Sequence, residues 1–489
     1  MAWERHMIWK ASQMNRNLTV LAVLTSLCAT CPLGAQSGPQ QTESIVEKAS
    51  QAAQEGKIAY KLTTPEELKE LLGPPLNERK DQDGGMEVLT FQCGDLTARF
   101  ARMRDFAAPF TLLTLTVKGS WLDLLQGGRK GGQIDIGQDR QVVLRSLADL
   151  ARFDPFWGLA GVSLAGLDLR EQKALLEKMP FDSRTVWPPR DRLPEGLDPV
   201  RRIEEGKNPG LGVRGLHSRG IDGHGVGIAI IDQPLLKNHV EYADRVVHYE
   251  PIEVLLVPPQ MHGPPVCSIA AGKDCGVAPK ASLYYYAVPT WKWLDNKPWA
   301  ELLERVVEFN KGLTDQPKIR VVSISLGAFS ERPSFDLWQA AVAKATESGI
   351  LVVTCDPTFL RLGTLKRDPT ADPNDPAHYS GARYSHSVAA LGVPVGNRTI
   401  ASHEGTSTYT YDVEGGMSWA VPYLAGLAAL AFQVDPNIPP ARIVELWTAT
   451  ATKTGAGPVV NPPGFIEAVR SSSGTKRQTV CTARATIPR

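Results

Sequence analysis

The sequence is poor in the features that mark a metal centre, a redox pair or a nucleic-acid partner. Cysteine is scarce, with 7 in 489 residues. Cys28 and Cys31 fall in an N-terminal apolar stretch. The remaining Cys93, Cys267, Cys275, Cys355 and Cys481 contain no CxxC pair, which argues against a zinc or redox site. They are odd in number, so at least one has no partner within the chain. Cys267 and Cys275 are near enough in sequence to bridge, and free buried thiols are the competing reading. Charge of one sign is also missing. Lys plus Arg number 53 against 52 Asp plus Glu, with no basic block, so nothing here calls for a nucleic acid. Long apolar runs are lacking too: the one at Leu18–Leu27 is too short to span a bilayer comfortably, and no second run reads as long enough to cross a membrane, so no stable membrane insertion is expected.

That short run follows Arg16 and precedes small residues, the pattern of a secretory signal over residues 1–35, cut near Ala35 and opening at Met1 or Met14. The expectation is a secreted, periplasmic or cell-envelope protein. An uncleaved anchor, or a lipoprotein at Cys28 or Cys31, is the competing reading, and neither cysteine has the usual lipoprotein context.

The chain is too long for one ordinary domain. Residues 36–56 read as a polar linker, disordered or loosely helical. Residues 57–188 mix helices and strands into a smaller N-terminal α+β domain. There "TPEELKELLG" has a threonine cap and a terminal glycine, "MEVLTFQC" and "FTLLTLTV" read as strands, and "DLREQKALLEKM" reads as an amphipathic helix. No chemical motif marks this domain. Residues 189–207, rich in proline and charge, read as a second linker, and 471–489 as a polar tail. Between them, over 208–470, continuous apolar strands alternate with helices: "VGIAIID", "ASLYYYAV", "WAELLERVVEFNKG", "IRVVSISLG", "FDLWQAAVAKATESG", "ILVVTCD", "SVAALGV". This alternation predicts an α/β fold, a parallel sheet with helices on both faces. In such sheets the site lies at the carboxyl ends of the strands.

Three residues stand at such ends. Asp232 closes a buried strand, where a carboxylate is costly unless paired. His262 precedes a helix of small and apolar residues. Ser418 follows two glycines and opens an apolar helix. Each alone reads as a cap, a turn or a structural histidine. Together they are an acid, an imidazole and a hydroxyl, and serine becomes a nucleophile only when an oriented base takes its proton.

With these residues in view, the stretch from about 205 to 470 resembles the subtilisin-like serine peptidases. "HGPPVCSIAAG" resembles their His-Gly motif, "SISLG" their substrate-cleft strand, and "GGMSWAVPYLAG" their Gly-Thr-Ser-Met-Ala-x-Pro-x-x-Ala-Gly motif. The match at "DQPLLKNHVEY" keeps Asp232 and the later His239. The resemblance implies a catalytic Asp232, His262 and Ser418, substrate contacts at Ser325, Leu326 and Gly327, a protein or peptide substrate and no organic cofactor. It also separates two serines: Ser407 sits in a "GTS" but lacks the proline and small-residue helix that follow Ser418. Residues 57–188 would then be a pro-region or a permanent accessory domain.

The resemblance fails at the oxyanion. Where the family has an asparagine, ungapped alignment gives Thr358, and a small shift gives Asp356; a threonine can donate, an aspartate only when protonated. Met417 replaces the usual threonine before the nucleophile and Pro265 the usual second histidine. A catalytically weak or inactive protein that binds peptides is therefore the alternative to a serine endopeptidase. The glycines of "GIDGHGVGIAIID" precede their strand, which excludes a dinucleotide loop. Asp368, Asp372 and Asp375 of "DPTADPNDP" offer carboxylates to calcium, and aspartate–proline turns are the competing reading.

Overall fold

The computed structural model describes residues 45, 48–53, 55, 57–58, 62–83, 86–93, 96–103, 110–117, 141–153, 158–327, 329–381 and 390–472. The signal segment, Cys481 and most of the C-terminal tail lie outside the described residues. The chain divides into two compact units, one of residues 1–179 and 184–197, the other of 180–183 and 198–489.

In the first unit, α1 (Pro65–Leu72) opens with Thr64 in a reciprocal capping box with Glu67 and stops at Gly73, whose φ of 89° suits glycine. Strands β1 (Asn77–Asp83), β2 (Met86–Cys93), β3 (Leu96–Met103) and β4 (Thr111–Val117) form an antiparallel sheet in sequence order. Leu89, Phe91, Phe100 and Leu112 bury against Leu68 and against Ala49, Ala52 and Ala53 of the helical residues 48–53. Two short helices follow, α2 (Leu147–Arg152) and α3 (Lys173–Leu176). The amphipathic helix expected over 168–179 is thus confined to four residues. Leu169, Leu176 and Met179 are all buried, and flanking turns place them, not a continuous helix.

The second unit starts with β5 (Phe181–Asp182) and α4 (Pro199–Gly206). The latter lies in the stretch read as a linker. Asp198 caps it at 3.0 Å and Pro199 takes its first position, while the buried Arg367 donates to the carbonyl of Glu205 at its end. After α5 (Val213–His217) come β6 (Gly227–Asp232), β7 (Val246–Pro251), α6 (Gly263–Ala271), β8 (Ser282–Ala287), α7 (Lys297–Gly312), β9 (Ile319–Ile324), α8 (Phe335–Glu347) and β10 (Leu351–Thr354). Five of these strands make one sheet in the order β10-β9-β6-β8-β7, parallel throughout. Alternation along β6 decides what each face receives. Ala229 and Ile231 join the core under α7 and α8 with Tyr284, Tyr286, Trp299 and Trp338. Ile228, Ile230 and Asp232 therefore point to the opposite face.

That face is covered by α6 and by α9 (Met417–Val434), reached through β11 (Leu362–Arg367), β12 (Tyr379–Gly381), β13 (Leu391–Gly396), β14 (Arg398–Ala401) and β15 (Tyr409–Asp412). Gly426 lets α9 cross α6 closely, since a Cβ there would stand 2.6 Å from Val277 and 2.8 Å from the Ala270 carbonyl. Among the described helices α9 is the one apolar and long enough to cross a membrane, and 83% of it is buried as a core helix. The unit closes with α10 (Pro440–Ala449), β16 (Thr452–Thr454) and β17 (Gly457–Val459).

Candidate active site

Asp232 ends β6 at 2% exposure and accepts two hydrogen bonds on Oδ1, from the Gln233 amide and from His262 Nδ1, both at 2.7 Å. His262 stands just before α6 and is 4% exposed. The glycine after it has a steric reason. A Cβ on Gly263 would lie 2.7 Å from the Tyr285 hydroxyl and 2.8 Å from the Gln233 carbonyl, which crowd the start of α6 against the end of β6. The histidine is thereby seated over the aspartate.

Ser418 is in the first turn of α9, 7% exposed. The turn before it needs glycine at 415, where φ is 65° and a Cβ would stand 2.3 Å from the Val395 carbonyl. Gly416 precedes the helix in extended conformation, and no side chain caps the helix start. The Trp419 amide donates to the Gly416 carbonyl at 2.9 Å, while the Met417 and Ser418 amides before it have no acceptor within the helix and lie at the positive end of its dipole. The adjoining Trp419 brings α9 to the histidine, its ring centroid 5.1 Å from the imidazole and tilted by 32°. Trp419 Nε1 donates to Asp412 Oδ2 at 2.7 Å. Burial pushes the Asp412 carboxyl above the usual range, against the pull of Trp419 and the Glu414 and Gly415 amides.

Ser325 meets Ser418 twice: its hydroxyl donates to the Ser418 carbonyl at 2.8 Å, and its own carbonyl accepts from Ser418 Oγ at 3.4 Å. Leu326 accepts from the Cys355 amide at 2.9 Å, and Gly327 backs onto Cys355, which a Cβ would approach to 3.4 Å. The two oxyanion candidates are spent on each other. The Thr358 hydroxyl and amide donate to Asp356 Oδ1 at 2.6 and 2.9 Å, and Asp356 Oδ2 accepts from the Ser330 amide at 3.1 Å. Burial alone would raise the Asp356 carboxyl, but these hydrogen bonds outweigh it and hold the group below its ordinary range. An ionised Asp356 has no proton to give.

The other named residues make contacts of their own. Ser407 is exposed on the turn before β15. His239 is buried, with Nε2 on the Thr408 carbonyl at 2.9 Å and Nδ1 accepting from the Glu241 amide at 3.2 Å, a neutral structural histidine. Asp368, Asp372 and Asp375 each close a local turn, onto the Thr370, Asn374 and Ala377 amides. Among the described residues no three His, Cys, Asp or Glu side chains are grouped to hold a metal. Cys93, Cys267 and Cys275 are free thiols, buried as Cys355 also is, and burial raises the thiols of Cys267 and Cys275 well above their ordinary value. Sequence reasoning passed over Asp412 and Trp419; their only signal was a tryptophan where the motif has methionine.

A family model described as the subtilase family matches residues 223–356, taking in Asp232, His262 and Ser325–Gly327 and ending before Ser418. The subtilisin-like protease PopC of Myxococcus xanthus is 25% identical over 285 residues, 50% of this chain and 58% of that protein. This chain therefore spans less than two thirds of that relative. Subtilisin BL of Lederbergia lenta is 28% identical over 260 residues, 49% of this chain and 88% of that one. The solved structure of a prenylagaramide maturation protease, PagA, aligns with 53% of this chain and 98% of its own at 19% identity and a TM-score of 0.40. Residues 223–356 thus match the subtilase family, and about half of the chain is similar to subtilisin-like serine proteases at 25–28% identity.

Proposed function

We propose that this protein is an exported serine endopeptidase acting on protein or peptide substrates through Asp232, His262 and Ser418. The observation that carries the reading is the 2.7 Å contact of Asp232 with His262, buried on the sheet face that α9 covers. Ser418 Oγ attacks the scissile carbonyl while His262 takes its proton. The C–N bond then breaks and His262 returns the proton to the leaving amine. Water repeats the cycle on the acyl-enzyme and frees the acid. Asp232 holds the imidazole in the tautomer that presents Nε2 as base. The Ser418 amide and the start of α9 are the donors assigned to the oxyanion, since Thr358 and Asp356 are bonded to each other. Without the family's side-chain donor, turnover is expected to be slower by about 10²–10³, a figure the subtilisins themselves supplied.

An alkyl fluorophosphonate tests this. It should label the wild type at Ser418. Ser418→Ala should lose labelling and peptide hydrolysis with an unchanged melting temperature, and Ser407→Ala should keep both. Activity lost in Ser407→Ala and kept in Ser418→Ala overturns the assignment. The committed pair Asp356–Thr358 is what favours the second reading, a weak or inactive protein that binds peptides. An unlabelled wild type that still retains peptides from a random library would establish it.

A further inference from the structure

The family motif has methionine directly after its nucleophile, and this chain has Trp419 with Asp412 placed to hold it. We propose that Trp419 is a positioning residue for His262, locked in place by Asp412; this rests on the peptidase reading above. Hydrogen bonds fix the edges of an imidazole and leave its tilt soft. An indole 5.1 Å away and inclined by 32° takes up that freedom. The indole itself has little freedom, because it is fully buried and its N–H ends on the Asp412 carboxylate at 2.7 Å.

Asp412 does a second job with its other oxygen, which accepts from the Gly415 amide at 3.0 Å and the Glu414 amide at 3.2 Å. One carboxylate therefore sets both the turn that delivers Ser418 and the ring that backs His262. The arrangement also favours the reacting state. When His262 takes the serine proton it becomes a cation beside an aromatic face, and the indole attracts the imidazolium more than the neutral ring. An interaction stronger in the transition state than in the ground state raises the rate of attack and leaves substrate binding unchanged.

The test uses the full-length protein and an alkyl fluorophosphonate, with the rate of covalent attack and the affinity of the initial complex measured separately. Trp419→Met restores the family's residue and removes the ring. It should slow attack about tenfold and leave the initial affinity within about twofold. Trp419→Phe keeps an aromatic face and loses the anchor to Asp412, so it should recover most of the rate, to within about threefold of wild type. Melting curves identify which variants fold, and Trp419→Phe decides alone if Trp419→Met does not. Wild-type attack rates in folded variants, an equal loss in both, or a change confined to initial affinity would each overturn the proposal and leave the peptidase reading standing. A wild type that does not label at Ser418 removes the peptidase reading and this inference with it.

Discussion

Replacing Asp356 by asparagine restores the family's amide in name and should still damage the protein. The Asp356 carboxylate accepts from the Thr358 hydroxyl at 2.6 Å and amide at 2.9 Å on one oxygen, and from the Ser330 amide at 3.1 Å on the other. Every partner is a donor. An asparagine has one oxygen and one NH₂, so its nitrogen must face a donor on one side. At 1% exposure no water repairs this. Each hydrogen bond to a charged group is worth about 1.5–3 kcal/mol. Losing one, with a donor left facing a donor, should cost about 2–3 kcal/mol. The pH dependence gives a second handle. The carboxyl is held below its ordinary value in the folded state, so its contribution is present above the unfolded value, about 3.9, and is lost as pH falls through the folded value. Urea denaturation at pH 7 and across the acid range measures both. Asp356→Asn should lower the midpoint at pH 7, flatten the acid dependence, and bring no gain in fluorophosphonate reactivity. A variant of wild-type stability that reacts faster would show that residue 356 lies at the oxyanion and does not tie two turns together.

Two further outcomes follow from the packing. Gly263→Ala puts a Cβ against the Tyr285 hydroxyl and two backbone carbonyls, so it should cost about 1–3 kcal/mol and slow labelling of Ser418 strongly by shifting His262 off Asp232; an unchanged urea midpoint and rate would refute the close approach. Burial lowers the titration of His239, against the pull of its Thr408 hydrogen bond, so the unfolded chain binds that proton first: stability is full above about pH 6.5 and falls as pH drops below it, with a shallower slope in His239→Gln, and equal slopes would exclude His239 as a source.

The sequence alone determined the parallel α/β architecture, because apolar strands buried on both faces leave a continuous signal, as in "GIAIID" and "SLYYYA". It also determined which serine to test. Small residues and Pro422 around Ser418 are local requirements of a close-packed helix, and Ser407 has none of them. Local composition misled where local and global demands diverge. Proline and charge hid α4, although Asp198–Pro199 is a helix start, and an amphipathic pattern over 168–179 overstated a helix of four residues. Only the tertiary structure decided the rest. Asp356 and Thr358 are two residues apart and each reads as a possible donor, but a folded turn aims one at the other. Asp412 and Trp419 carry no motif, and their link to His262 exists only because β15, the Gly415 turn and α9 converge on one place. Hydrogen-bond direction and ring placement depend on chain segments far apart in sequence, and no local pattern encodes them.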